Sequence, residues 1–154
     1  MKKVNKILLL LVVVLLFSNC KKEEESWGPC IDCDLSEWAG SFEGTGVYYQ
    51  ESDSSSVLDV PTEITIENTS DTRLKVIVDA GLYFSSTTFI YKTNDDYFIE
   101  LAGSNSSISL TLYQKNNNYK LSGTSKRYHY NVDTVLVIDQ SLSFETFKIN
   151  LKSY

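Results

Sequence analysis

The sequence predicts an all-β domain, a single antiparallel up-and-down barrel of about eight strands, with a β-sandwich as the alternative. Three observations carry this. From Trp38 onward the apolar residues recur with a period of two rather than 3.6. Clusters of Ser, Asn, Asp and Gly interrupt the pattern at the spacing of short strands joined by turns. No stretch carries helical spacing over three turns.

The runs follow one another along the chain. Ile64 and Ile66 alternate with Glu63, Thr65 and Glu67, and Leu74, Val76 and Val78 with Arg73, Lys75 and Asp79. Ile108, Leu110 and Leu112 alternate with Ser107, Ser109 and Thr111; Tyr119, Leu121 and Gly123 alternate with Lys120, Ser122 and Thr124. Phe147, Ile149 and Leu151 form the last stripe; Phe144 is out of phase with it, so a bulge is expected near Glu145 and Thr146. Each run buries one face and wets the other, as antiparallel sheets do. Turn signals stand at Ser52–Ser56, Asn68–Thr72, Ala80-Gly81, Asn94–Asp96, Gly103–Asn105 and Asn116–Asn118. Pro61 is expected to begin a strand, where its missing N–H is tolerated. Consecutive hairpins favour a meander, and closing it hides the sheet edges.

Charge narrows the partners. Beyond the first nineteen residues the chain carries eleven Lys and Arg against twenty Asp and Glu, a net charge of −9. An acidic body does not attract phosphate backbones, so no nucleic-acid partner is expected.

The N-terminus is an address. Met1–Lys6 is basic and Ile7–Phe17 is an apolar run of eleven residues. That is too short for a spanning helix, which needs about 20 residues, and it suits a secretory signal. It ends in Leu16-Phe17-Ser18-Asn19-Cys20, which resembles the bacterial lipobox, whose cysteine is acylated and becomes the mature N-terminus. Lys21-Lys22-Glu23-Glu24-Glu25 follows. It resembles the lipoprotein export signal of Bacteroidota, which sends lipoproteins to the outer face of the outer membrane; the plainer reading is a solvated charged tether. The expected division is therefore residues 1–19 as signal peptide, 20–37 as lipidated flexible tether and 38–154 as barrel.

Within the tether, Cys30 and Cys33 form C-x-x-C. A redox site needs a βαβ context and a helix N-terminus, and neither is visible. Zinc needs about four ligands, and two thiols with the distant His129 are too few. A local disulfide is expected, with two free thiols as the alternative.

Glu37-Trp38-Ala39-Gly40-Ser41-Phe42-Glu43-Gly44-Thr45-Gly46 opens the domain. A tryptophan followed by glycines and an aromatic entering the first long strand resembles the start of lipocalin-like (calycin) barrels, and is similar to the small lipocalin-like lipoproteins of Bacteroidota. The resemblance implies that Trp38, Gly40 and Phe42 plug a closed barrel end, and that Lys126-Arg127 supplies the basic residue packed over the tryptophan. The plainer reading makes these residues close-packed core.

No motif for a nucleophile, a phosphate loop or a metal site is visible; His129 is the single histidine. No catalytic residue, metal or cofactor is expected. Ten tyrosines suit a ligand pocket or an interface, and equally suit strands. The expected function is a membrane-anchored binding module holding a small hydrophobic ligand in the barrel mouth. The alternative is a non-enzymatic surface or periplasmic interaction module: an accessory, adhesin-like or inhibitory lipoprotein.

Overall fold

Alternating sequence becomes alternating burial in the computed structural model, which describes residues 26–91 and 97–149. The elements are β1 (Gly28–Pro29), α1 (Leu35–Trp38), β2 (Gly40–Gln50), a 3-10 turn (Glu51–Asp53), β3 (Ser55–Ser70), β4 (Arg73–Asp79), β5 (Ser85–Tyr91), β6 (Phe98–Ala102), β7 (Ser106–Lys115), β8 (Asn118–Tyr130) and β9 (Leu136–Lys148). Hairpins join β2 through β5 and β6 through β9, and β9 returns to pair with β2. The result is one antiparallel sheet, in the order β6-β7-β8-β9-β2-β3-β4-β5, with β1 also laid against β7. It curls into a half-barrel, the meander the sequence predicts, with β5 and β6 at its two free edges.

The curl brings β5 over to β8. Ser86 Oγ lies 3.3 Å from Ser125 Oγ, and Arg127 Nη2 donates to the Ser85 carbonyl. Side chains on the inward face form one core: Ile64 and Ile66 of β3, Leu74, Val76 and Val78 of β4, Ile108, Leu110 and Leu112 of β7, with Leu121, Leu142 and Phe144 opposite. Bulges sharpen the bend. Between Gly46 and Tyr48 the register with β3 slips, and Asp59 takes a left-handed φ of 54°. Between Arg127 and Tyr128 it slips again, leaving Asp139 unmatched on β9.

Three expectations are corrected. The tether does not stay free up to Glu37. Gly28 and Pro29 pair with Gln114 and Tyr113, Cys30 N–H donates to the Leu112 carbonyl at 3.0 Å, and Cys30 and Cys33 are buried. Backbone pairing and apolar burial outweigh the turn-rich composition there. Next, the β8–β9 ladder runs unbroken from Lys120↔Phe147 to Arg127↔Gln140, so no bulge stands at Glu145–Thr146. Thr146 therefore faces inward, its hydroxyl donating to the Leu121 carbonyl at 3.1 Å, while Phe147 points outward and is 45% exposed. Finally, Pro61 lies inside β3 rather than at its start, opposite Thr45 and beyond the Glu63↔Asp79 pair that ends the β4 ladder. No β4 neighbour asks for an N–H at that point.

Trp38 closes one end of the curl and is completely buried, together with Phe42. Its indole Nε1 has no hydrogen-bond partner among the described residues, so its contribution is apolar packing. Trp38→Ala is expected to cost about 3–5 kcal/mol and to lower the urea midpoint accordingly. Trp38→Phe, which removes the unpaired N–H and keeps most of the ring, is expected to cost less.

Candidate functional site

The barrel has two unlike ends. At the closed end, α1 is set by a capping box: Asp34 accepts from the Ser36 amide at 2.6 Å, and Glu37 Oε2 accepts from the Asp34 amide at 2.8 Å. Hydrogen bonds from Ser36 and Glu37 bring the Asp34 carboxyl down to about 2. Lys148 then reaches under the helix, its Nζ donating to the Glu37 carbonyl at 2.7 Å and the Ser36 carbonyl at 3.3 Å. A cation at a helix C-terminus satisfies otherwise orphaned carbonyls. Burial pushes the Lys148 amine below its ordinary value, and the charge of Glu37 opposes that shift. The ammonium also sits over the rings of Tyr119, at 5.1 Å, and Phe42, at 5.8 Å. Gly40 leaves the room: a Cβ there would stand 2.8 Å from Lys148 Cε, and the backbone φ is +135°. The sequence-predicted plug residues Trp38, Gly40 and Phe42 are thus brought together at one end.

The basic residue at this end is Lys148. Arg127 lies toward the other end, 4.9 Å over the Phe84 ring, and Lys126 faces away from the core side of β8. The expectation for Lys126-Arg127 is corrected, because β8 runs away from the plug and its far end cannot reach Trp38. Cys30 and Cys33 form a disulfide across their turn, with Cα atoms 5.4 Å apart, and both are buried against the plug end. Cys20 and Lys21, Lys22, Glu23, Glu24 and Glu25 lie outside the described residues.

The opposite end is the candidate site. Here β2, β8 and β9 finish side by side, and their inward residues turn polar. Arg127 Nη1 donates to Gln140 Oε1 at 3.0 Å, Gln140 Nε2 to the Tyr48 hydroxyl at 2.9 Å, and Tyr48 in turn to Gln50 Oε1 at 2.9 Å. Gln50 Nε2 ends the relay at Ser52 Oγ, 2.8 Å away. Each donor is spent on one acceptor, so the string is directional and rigid. His129 follows Arg127 on the same face, with Nδ1 3.8 Å from Asp139 Oδ1 and 4.0 Å from Glu51 Oε2. The β9 bulge turns Asp139 toward it. On the neighbouring turn, bonds from the Ser55 hydroxyl and amide hold the Asp53 carboxyl below its ordinary value. A cleft of about 420 Å³ runs beside this network where β5 meets β7 and β8, lined by Ser86, Thr88, Ser107, Ser125, Arg127 and Asp139 among others.

Around the polar floor stands an apolar rim. Leu82 on the β4–β5 loop and Val132 on the β8–β9 loop are fully exposed, and Tyr130, Val135 and Leu136 are partly so. Tyr83 leans on Tyr48, ring centroids 5.6 Å apart. The arrangement can recognise a surface carrying both hydrogen-bonding and aliphatic groups.

Sequence reasoning singled out His129 and the tyrosines but not this constellation. Its members come from positions 48–52, 82–86, 127–140, and no local spacing links them. Around Asp139 the sequence runs Val135-Leu136-Val137-Ile138 and then Asp139-Gln140-Ser141, with no alternation for a bulge to interrupt.

Arg127→Ala is expected to cost about 1 kcal/mol, since it strands one side-chain acceptor in a half-wet site. Its clearer effect is local. Amide exchange at Ser85–Thr88 should accelerate relative to the rest of the sheet, because β5 loses one of its two ties to β8 and keeps only the Ser86–Ser125 contact.

Comparison with protein-family models, curated proteins and solved structures finds no match to this chain.

Proposed function

We propose that this chain is a non-enzymatic recognition module of the small lipocalin-like lipoprotein kind, acylated at Cys20 and carried to the outer face of the outer membrane by Lys21–Glu25. Its mouth engages a protein partner. The observation that supports this best is the placement of Leu82 and Val132, fully exposed beside the Arg127–Gln140–Tyr48 network, at the end farthest from the chain's entry. Fully exposed aliphatic side chains on the loops at one end of a sheet are what an interface uses. The positions below the mouth carry Tyr48, Phe84, Val60 and Leu142, each no more than 5% exposed. That filling favours recognition at the rim over storage of a small hydrophobic ligand in a lumen.

Two measurements test the reading. A photo-crosslinking residue at position 82 or 132 should give a discrete protein adduct on intact cells, while one at Ser109 on the outer wall should give none. A hydrophobic fluorophore should show no saturable binding displaced by fatty acids. Displaceable binding without adducts would return the function to the small-ligand reading.

A further inference from the structure

The outer wall of the closed end carries a cluster that the core does not need. Trp27 and Phe147 pack with ring centroids 5.8 Å apart. Lys120 Nζ lies 5.7 Å from the Trp27 ring and 4.9 Å from that of Tyr113. The four side chains come from the segment before β1, from β7, from β8 and from β9, so the sheet assembles them into one tile. Phe147 is 45% exposed on a face where its outward neighbours along β9 are Glu145 and Ser143. Ile31, 62% exposed on the Cys30–Cys33 turn, extends the apolar surface at the same end.

We propose that this tile lies in the headgroup region of a phospholipid bilayer and sets how the domain stands on the membrane. The inference rests on acylation of Cys20, the anchor proposed above, and names the contact that the anchored domain then makes. Chain length supports it. Trp27 is seven residues beyond Cys20, a reach of at most about 25 Å even fully extended. The tile therefore cannot leave the neighbourhood of the surface to which the lipid is bound. Its chemistry fits that place: Trp and Tyr prefer the zone where one end of the ring is apolar and the other wet, and lysine extends its stem over apolar surface with the ammonium in water.

Charge decides the kind of attraction. Lys120 is already paired with Glu145 at 3.0 Å, and Glu43 stands opposite Phe147 on β2. Lys120, Glu145 and Glu43 together give the tile no net positive charge with which to bind anionic lipid. Partition of the rings is the driving term, so zwitterionic phosphatidylcholine is a sufficient partner and salt has little effect. With the closed end down, the mouth faces away from the membrane.

The chain's two tryptophans supply the test, because Trp38 is completely buried and Trp27 is in the tile. The full-length acylated protein is placed on phosphatidylcholine vesicles with and without brominated acyl chains. Bromine should quench part of the tryptophan emission at low and at high salt, and the quenched part should vanish in Trp27→Phe while the Trp38 emission persists. Protein that floats with the vesicles but shows no bromine-sensitive emission overturns the docking and leaves the anchor standing. Quenching abolished by salt overturns the apolar account. Protein that does not float overturns the anchor and the docking together.

Discussion

Gly123→Ala and Gly44→Ala are each expected to lower the thermal midpoint by roughly 10–20 °C, the two being the glycines at which an added Cβ meets its neighbours most closely. A Cβ at Gly123 would collide with the Ser109 carbonyl oxygen and come within 3.0 Å of Leu110 Cδ2 and 3.1 Å of Phe144 Cζ. One at Gly44 would collide with the Glu145 carbonyl and lie 2.8 Å from Thr146 Cα. In both places the obstacle includes backbone of a neighbouring strand, which cannot rotate aside as a side chain does. Gly44 sits in the β2–β9 ladder that joins the two halves of the meander, and Gly123 in the β7–β8 ladder. Overpacking usually costs about 1–3 kcal/mol, more where backbone must move, against a total stability of about 5–15 kcal/mol. The double substitution should not fold. Gly28→Ala is the control, since a Cβ there meets nothing within 4 Å. Circular-dichroism melts of the three single variants decide it; a Gly123→Ala protein melting like the parent would mean the ladder there is not as described.

Cys20→Ala is expected to move essentially all of the protein from the membrane pellet to the soluble fraction. Each buried CH₂ contributes about 0.8 kcal/mol, one acyl chain holds weakly, and two or three hold stably. Loss of the sulfur removes them all at once. No helix among the described residues is long and apolar enough to cross a membrane, so none of them offers a helical second anchor. Replacing Lys22, Glu23 and Glu24 with alanine should give a different result: the protein stays in the membrane fraction but resists protease added to intact cells. Membrane association that survives Cys20→Ala, or an unmodified thiol by mass spectrometry, would refute acylation. Unchanged protease access in the triple variant would refute the export signal and leave the acyl anchor intact.

The strands were legible because alternation is written into neighbouring residues. Ile64 and Ile66, Leu74, Val76 and Val78, and Ile108, Leu110 and Leu112 point inward as the period of two requires, each 2% exposed or less. Trp38 and Phe42 were legible as close-packed residues, large apolar side chains at the entry to a glycine-punctuated strand, and both are completely buried. The last strand was misread for a physical reason. Phe147 looks like core in isolation, but the ladders to β2 and β8 hold its register, Thr146 satisfies its hydroxyl inside on the Leu121 carbonyl, and Trp27 shelters the ring outside.

The mouth was not legible at all. Tyr48 and Gln140 meet across 92 positions, and Arg127 and Ser85 across 42. Such pairs leave no mark on the residues beside them. Local patterning was enough to settle that the chain is all-β and which stripes of β3, β4 and β7 are buried, because side-chain alternation needs only the strand itself; the expected turn at Asn94–Asp96 lies outside the described residues, and the turn between Tyr130 and Leu136 carried no signal strong enough to be expected. Which ends close, which lysine covers the plug and which polar residues gather at the rim were decided by the β2–β9 pairing and the bulges, because these set the curl of the sheet, and curl is a property of the assembled strands.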